Sequence, residues 1–200
     1  MAQELGVEPG DFAEGFFGTF DQRVRGQHGS LEDSLRMVAI SLGASPTKAQ
    51  VLRAVEIRMQ YSAQLLDTCT VSLPALDHLR AAGLRLAVVS DCSEETPRLW
   101  TNFPLAARFD TAIFSCRVGL RKPDPRIYGL ALEALGFPAT RCAFVGDGGS
   151  HELTGAQEAG LHAFLYRFPK DSLTETFRVD GDTGWSGPTL TDLKELLSPA

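Results

Sequence analysis

Two adjoining stretches decide the fold class: Pro74-Ala75-Leu76-Asp77-His78-Leu79-Arg80-Ala81-Ala82-Gly83 and Leu84-Arg85-Leu86-Ala87-Val88-Val89-Ser90. The first has the length and the terminal glycine of a short helix. The second is a short apolar run with β-branched residues near its end, which predicts a buried strand. A helix followed at once by a buried strand is the repeating unit of an α/β domain.

The same alternation continues along the rest of the chain. Further strands are predicted at residues 111–115, 142–146 and 162–166, and further helices at residues 125–135 and 153–159. Both of these helices stop at a glycine. Apolar strands separated by helices of this length indicate a parallel sheet with crossover helices, because strands that helices cover on both faces are buried.

The first seventy or so residues are predicted to be helical. Ser30 to Asp33 resembles a capping box, and the apolar spacing that follows predicts a helix ending near Gly43. Ser45-Pro46 then predicts an N-cap with proline at the first helical position. Residues 12–20, rich in phenylalanine and glycine, are also predicted to be helical.

The C-terminal residues do not continue the alternation of strands and helices. Residues 170–188 are rich in Asp, Gly, Thr and Ser and are predicted to be irregular surface. The leucines from Leu190 to Leu197 predict a closing amphipathic helix.

Composition and charge exclude several classes of protein. The 200 residues are 44% apolar and 22% charged, with a net charge of −6, so neither a disordered nor a collagen-like chain is indicated. Mild acidity argues against a nucleic-acid partner, since phosphate-backbone binding needs clustered basic residues. The nearest basic cluster, Arg23, Arg25 and His28, is interpreted as a solvated face.

Neither a membrane segment nor a disulfide framework is predicted. No apolar stretch reaches the ~18 residues of a membrane span, and the N-terminus does not resemble a signal peptide, so a cytoplasmic location without a membrane partner is expected. The cysteines, Cys69, Cys92, Cys116 and Cys142, form no C-x-x-C pair and are interpreted as buried reduced thiols. Cys92 stands out because it closely follows Ser90-Asp91.

Polar residues follow three successive strands at the edge where parallel sheets bind ligands. Ser90 ends the first strand, Lys122 follows the second, and Asp147 and Glu152 follow the third. A lysine and a hydroxyl can hold phosphoryl oxygens, whereas two carboxylates offer the hard oxygen ligands that Mg²⁺ prefers. Each feature alone is usually a cap or a turn; together they predict a site for a phosphate and a divalent cation.

These motifs resemble those of the haloacid dehalogenase (HAD) superfamily. The resemblance rests on Lys122-Pro123-Asp124-Pro125-Arg126-Ile127-Tyr128 and on Gly146-Asp147 with Glu152-Leu153-Thr154-Gly155-Ala156. It implies a HAD-like, Rossmannoid three-layer α/β core with a parallel sheet at residues 73–200 and an N-terminal α-helical cap at residues 1–72. It also implies a Mg²⁺-dependent phosphatase for a small phosphorylated metabolite, with Ser90 and Lys122 on the phosphoryl group and Asp147 and Glu152 on the metal.

The family's nucleophile motif is not found. Members carry an Asp-x-Asp-x-Thr-like motif on a first strand, whose first Asp forms an aspartyl-phosphate. The best local candidate is Asp21, but Arg23 stands where the second carboxylate belongs. The resemblance therefore predicts that this first strand is absent, and that these 200 residues are inactive by themselves.

Other interpretations remain open at this point. Within the enzyme class, a haloacid dehalogenase is the alternative, because it uses the same nucleophile without metal; the pair Asp147 and Glu152 favours the phosphatase. A second class is a non-catalytic HAD-like module that binds an anion or a partner. Dinucleotide binding is disfavoured, since no G-x-G-x-x-G follows a strand. Substrate identity and oligomeric state stay open.

Overall fold

A computed structural model of the chain describes residues 1–167 and 184–197. These residues form two compact units. Unit 1 consists of Met1–Thr70, Ser90–Ala106 and Phe114–Gly119, and unit 2 of Val71–Val89, Ala107–Ile113 and Leu120–Ala200. Unit 1 thus contains two segments beyond the predicted cap, and the predicted boundary at residue 72 stays a prediction.

The elements alternate in the order that the sequence predicts from residue 73 onward. The helices are α1 (Ala2–Leu5), α2 (Pro9–Gly18), α3 (Phe20–Val24), α4 (Leu31–Ser41), α5 (Lys48–Thr68), α6 (Leu73–Ala81), α7 (Glu95–Trp100), α8 (Ser115–Val118), α9 (Pro125–Leu135) and α10 (Glu152–Glu158). The strands are β1 (Ala87–Ser90), β2 (Thr111–Phe114), β3 (Ala143–Gly146), β4 (His162–Tyr166) and β5 (Thr189–Leu190).

Two capping boxes fix the long helices of unit 1. The predicted box is confirmed, because the Ser30 hydroxyl accepts from the Asp33 N–H while the Asp33 carboxylate accepts from the Ser30 N–H. The predicted start of α5 at Ser45-Pro46 is wrong by two residues. Thr47 caps this helix, since its partner three residues on is Gln50, whose side chain accepts from the Thr47 N–H at 2.9 Å.

The core of unit 1 is formed by apolar residues of α1, α2, α4 and α5. Its buried members are Ala2, Leu5, Phe12, Phe16, Leu31, Leu35, Val38, Ala39, Val51, Ala54 and Val55. The rings of Phe12 and Phe16 stack with centroids 5.6 Å apart. These positions recur at helical spacing, so burial of one face of each helix holds the four together.

Arg23 corrects the prediction of a solvated basic face. Its side chain is buried, donates to the Phe16 carbonyl at 2.8 Å and to the Ser93 hydroxyl at 3.2 Å, and lies over the Phe16 ring. Burial lowers the pKa of Arg23 to about 10. A guanidinium can be buried here because a carbonyl, a hydroxyl and a ring face replace its water. Arg25 is half-buried and pairs with Asp21.

The strands of the chain form two separate sheets. The order β3-β4-β5 is parallel, with Val145 opposite Phe164 and Leu165 opposite Thr189, whereas β1 pairs with β2 in a sheet of its own. In unit 2, a cavity of about 980 Å³ is lined both by residues of β1, including Val88, and by residues of β3, including Phe144. The strands of the predicted α/β core are therefore divided between two sheets within the described residues.

The C-terminal prediction is partly wrong. Leu190 does not begin a helix but lies in β5, where its carbonyl accepts from the Arg167 N–H at 2.8 Å. Pairing with the edge of β4 satisfies backbone groups that a helix start would leave open. Leu193–Leu197 form a short 3₁₀ helix. Most of the predicted irregular stretch, residues 170–183, lies outside the described residues. Every helix among the described residues is too short or too polar to cross a bilayer.

Candidate functional site

Lys122 and Glu152 form a buried ion pair in unit 2. The Lys122 ammonium donates to Oε2 of Glu152, and the two side chains are only 12% and 6% exposed. Lys122 lies in the loop before α9, and Glu152 is the first residue of α10. Two of the predicted site residues, 30 positions apart in sequence, are thus brought into direct contact by the fold.

Asp147 lies in the loop between β3 and α10, which leads directly to Glu152. Its Oδ1 accepts from the Gly149 N–H at 2.9 Å, while Oε1 of Glu152 accepts from the Gly148 N–H at 3.1 Å. The loop therefore folds around its own two carboxylates. Ser150 and His151 take left-handed backbone conformations, with φ of 55° and 50°. Such conformations cost of order 1–3 kcal/mol each, and they cluster at ligand sites.

Two glycines allow these side chains to approach. A Cβ on Gly146, the last residue of β3, would lie 2.1 Å from Oε1 of Glu152. A Cβ on Gly155 would lie 2.6 Å from Cβ of Pro123, the neighbour of Lys122. Any larger residue at either position would push Glu152 or α10 away from the Lys122 loop.

Burial sets the protonation behaviour of Glu152. Burial raises the pKa of Glu152, the Lys122 ammonium lowers it, and the negative charge of Asp147 raises it again; the net direction is upward. Two carboxylates thus repel one another at this loop while one ammonium partly compensates them. A bound divalent cation would relieve that repulsion.

The donor set fits Mg²⁺ in a limited form. Mg²⁺ is usually held by one or two carboxylates, with waters and substrate phosphate oxygens completing its shell. Asp147 suits that role, whereas both oxygens of Glu152 already accept hydrogen bonds from Lys122 and Gly148. Within residues 1–167 and 184–197, no cluster of three or more His, Cys, Asp or Glu side chains could hold a metal by itself.

Ser90 belongs to unit 1. It ends β1, is half-buried, and its hydroxyl contacts the Cys92 thiol through a hydrogen bond. Its predicted role on a phosphoryl group stays a prediction. Its position at the carboxyl end of a strand is the one that the sequence predicts.

No described residue takes the position of the family's nucleophile. Asp21 lies in α3, a short helix, and pairs with Arg25 four residues on, so it is not at a strand end. The sequence contains one Asp-x-Asp run, Asp180-Gly181-Asp182, with Gly184 where the motif requires threonine. That run lies outside the described residues.

Tyr128 ends the Lys122–Tyr128 motif, and the family resemblance assigns no role to it. Its side chain is buried, and its hydroxyl donates to the Glu152 carbonyl at 2.9 Å. Its ring also packs edge-on against Phe144 of β3. The signal was available in the sequence, because a tyrosine three residues into a predicted buried helix face needs a partner for its hydroxyl.

Comparison with protein families and curated proteins confirms the predicted family. A hydrolase family profile, described as haloacid dehalogenase-like hydrolase, matches residues 17–160. Haloacid dehalogenase-like hydrolase domain-containing protein 3 from Mus musculus is 38% identical over 86 residues, 43% of this chain and 34% of that protein. Phosphoserine phosphatase from Thermus thermophilus is 30% identical over 122 residues, 60% of this chain and 48% of that protein. The chain thus spans less than half the length of both relatives.

Solved structures agree on the fold. The crystal structure of 2-haloacid dehalogenase from Pseudomonas syringae pv. Tomato DC3000 matches with a TM-score of 0.66 at 23% identity, covering 98% of this chain and 82% of that chain. At this level of identity the similarity concerns the fold alone. The predicted HAD-like α/β architecture is confirmed.

Proposed function

Because this chain belongs to the haloacid dehalogenase-like hydrolase family, we propose that it supplies the phosphate- and metal-binding residues of a Mg²⁺-dependent phosphatase for a small phosphorylated metabolite. The observation that carries the proposal is the cluster of Lys122, Glu152 and Asp147 at the carboxyl end of β3. A phosphatase relative, 30% identical over 122 residues, supports the same chemistry.

In this proposal Lys122 binds the phosphoryl group. An ammonium is a compact charge with three N–H donors, and contact with Glu152 fixes where that charge lies. Tyr128 and Gly155 position Glu152, because they hold the first turn of α10 in place. Glu152 is thus a positioning residue for Lys122 as well as a predicted metal ligand.

Asp147 is the residue on which Mg²⁺ binding depends in this proposal. The ion would supply positive charge that polarises a phosphoryl oxygen. Asp147 itself is oriented by the Gly149 N–H, so its carboxylate does not have to be ordered when a ligand binds. For Ser90, the proposed role is that of a neutral donor to a phosphoryl group.

The attacking carboxylate is the group that the described residues do not provide. The cavity of about 980 Å³ between β1 and β3 supports the prediction that a further strand belongs there. The coding DNA upstream of Met1 tests this prediction. An in-frame Asp-x-Asp-x-Thr segment preceded by an apolar run is expected, whereas in-frame stop codons would contradict it.

Activity is tested on two proteins, this chain and the chain extended by that upstream segment. We expect Mg²⁺-dependent hydrolysis of p-nitrophenyl phosphate by the extended protein only, and loss of that activity in Lys122→Ala. The matched control is Arg126→Ala, an exposed cation four residues away that pairs with Asp124. Chloride release from a 2-chloro acid without Mg²⁺, in place of phosphatase activity, would establish the dehalogenase alternative.

A non-catalytic module is the second candidate. It is favoured by the absence of an Asp-x-Asp-x-Thr-like motif among the described residues, and it predicts a folded, monodisperse protein without turnover in either form. Turnover by the extended protein that Lys122→Ala abolishes would refute this candidate.

A further inference from the structure

Two buried cysteines from distant parts of the sequence meet in unit 1. Cys92 stands two residues after β1 and Cys116 two residues after β2, and these strands are neighbours in one sheet. Their side chains are 7% and 8% exposed, and the two thiols lie within hydrogen-bonding reach of each other. Both are free thiols in the structure.

The backbone around the pair is held in place. The Ser115 hydroxyl accepts from the Cys92 N–H at 3.0 Å and donates to the Cys92 carbonyl at 3.2 Å. On the other side, Gly26 approaches so closely that a Cβ would lie 2.2 Å from the Cys116 carbonyl oxygen. The proximity of the sulfurs is therefore a property of the fold, not of freely rotating surface side chains.

The two thiols differ in protonation. The hydrogen bond from Cys92 lowers the pKa of Cys116, whereas the same hydrogen bond and burial raise the pKa of Cys92. Cys116 is consequently the one that becomes a thiolate, and Cys92 remains the proton donor beside it. A thiolate next to a second thiol is the arrangement in which oxidation ends in a disulfide.

We propose that Cys92 and Cys116 form an oxidation site that hydrogen peroxide converts into an intramolecular disulfide. In the first step the Cys116 sulfur attacks peroxide; an S–O bond forms, the O–O bond breaks, and water leaves. In the second step the Cys92 sulfur attacks the resulting sulfenic acid; the S–S bond forms, the S–O bond breaks, and a second water leaves. The two thiols lose two electrons and two protons, and peroxide takes up both.

Disulfide formation would also change the hydrogen bonding of Ser90. The Ser90 hydroxyl also donates a hydrogen bond to the Cys92 sulfur, and disulfide formation turns that sulfur into a weaker acceptor. If Ser90 binds a phosphoryl group, as the proposed function holds, oxidation weakens phosphate binding. This consequence rests on the proposed function, whereas disulfide formation itself does not.

Thiol counting tests the site without any substrate. The reduced protein has four cysteines, and mild peroxide should leave two titratable thiols and lower the mass by about 2 Da. Peptide mapping without reductant should join the segments holding Cys92 and Cys116. Cys92→Ser and Cys116→Ser should lose this product, because each removes one sulfur at nearly constant volume.

The double variant Cys69→Ser and Cys142→Ser is the matched control, since it leaves the buried pair and its surroundings intact. It should form the disulfide as the wild type does. The proposal is overturned if this variant keeps both thiols under peroxide, or if the linked peptides involve Cys69 or Cys142. Unchanged phosphate affinity in a protein shown to carry the disulfide would count against the role of Ser90 in the proposed function, not against the oxidation site.

Discussion

Among residues 1–167 and 184–197, each unit contains one buried pair of a glutamate with a cation, and the two pairs differ in their neighbours. In unit 1, Glu95 contacts Arg58 and is also near Arg23, so one carboxylate faces two guanidinium groups. In unit 2, Glu152 contacts Lys122 and is near Asp147, so two carboxylates share one ammonium. The negative charge of Glu95 is fully compensated by guanidinium groups of its own unit. The carboxylates of Glu152 and Asp147 together leave a surplus of negative charge, which a cation would balance.

The pKa directions follow this difference. Burial works to raise the pKa of Glu95, but Arg58 and hydrogen bonds from the backbone and from Ser93 hold it below the ordinary range. Burial and Asp147 together raise the pKa of Glu152 despite Lys122. A carboxylate that the fold prefers ionised is structural, while one whose charge the fold disfavours points to a missing ligand.

Matched neutral substitutions should give the largest effect. Glu95→Gln is expected to cost about 3–5 kcal/mol of the free energy of unfolding, because it leaves the buried Arg23 and the half-buried Arg58 guanidinium groups without a counter-charge. Glu152→Gln should cost less, about 1–3 kcal/mol, since the fold already disfavours that charge and the amide oxygen can still accept from Lys122, while the Gly148 N–H loses its acceptor. Urea unfolding of both variants measures the difference; equal costs would contradict the comparison.

Close packing of α10 against the Lys122 loop gives the next effect. Gly155→Ala places a Cβ within 2.8 Å of the Pro123 carbonyl oxygen and should destabilise by about 1–3 kcal/mol. Gly129→Ala in α9 is the control, because a Cβ there meets nothing within 4 Å; it should stabilise by about 0.5–1 kcal/mol. Thermal unfolding of both variants tests this, and a neutral Gly155→Ala would show that α10 can shift freely.

The contributions of Glu95 and Glu152 to the free energy of unfolding should also depend on pH in opposite directions. The folded-state pKa of Glu95 is lowered, so its stabilisation is complete above the ordinary carboxyl pKa and disappears as pH falls through the lowered value. The folded-state pKa of Glu152 is raised, so its protonated form stabilises below the ordinary value, and this contribution is lost as pH rises through the raised value.

Unfolding free energies of the wild type and the two glutamine variants across the acid range separate these contributions. The difference in unfolding free energy between the wild type and Glu95→Gln should become smaller as pH falls below the ordinary carboxyl range. The free energy of unfolding of Glu152→Gln should rise relative to that of the wild type as pH rises above the ordinary carboxyl range. Parallel curves for all three proteins would rule out both assignments.

The smallest expected effect comes from Asp147. Asp147→Asn removes the charge that repels Glu152 while its amide oxygen can still accept from the Gly149 N–H, so it should stabilise by about 0.5–1 kcal/mol. The same change should abolish any increase in melting temperature caused by Mg²⁺. Thermal unfolding with and without Mg²⁺ measures both; a destabilised variant that still responds to Mg²⁺ would contradict the role given to Asp147.

The central residues of the site could be predicted because parallel sheets bind ligands at the carboxyl ends of their strands. Lys122 and Glu152 follow successive strands of an α/β sequence, and parallel topology brings such positions together. The helix from Pro125 to Leu135 was equally predictable, because Asp124 caps it and Gly136 ends it.

Other features depend on contacts between distant residues and leave no local signal. Cys92 and Cys116 are 24 residues apart and match no spacing motif, and only pairing of β1 with β2 brings them together. Arg23 resembles a surface charge in the sequence because one of its partners, Ser93, is 70 residues away along the chain. Two of the four predicted buried thiols are not buried, since Cys69 is exposed and Cys142 half-exposed.

The central claim is that Lys122 and Asp147 form a phosphate and Mg²⁺ site, and calorimetric titration tests it most directly. Inorganic phosphate is titrated into the wild type, Lys122→Ala and Arg126→Ala, each with and without Mg²⁺. We predict Mg²⁺-dependent binding by the wild type and Arg126→Ala, weakened at least tenfold, or about 1.4 kcal/mol, in Lys122→Ala. Equal phosphate affinity in the wild type and Lys122→Ala would contradict the claim.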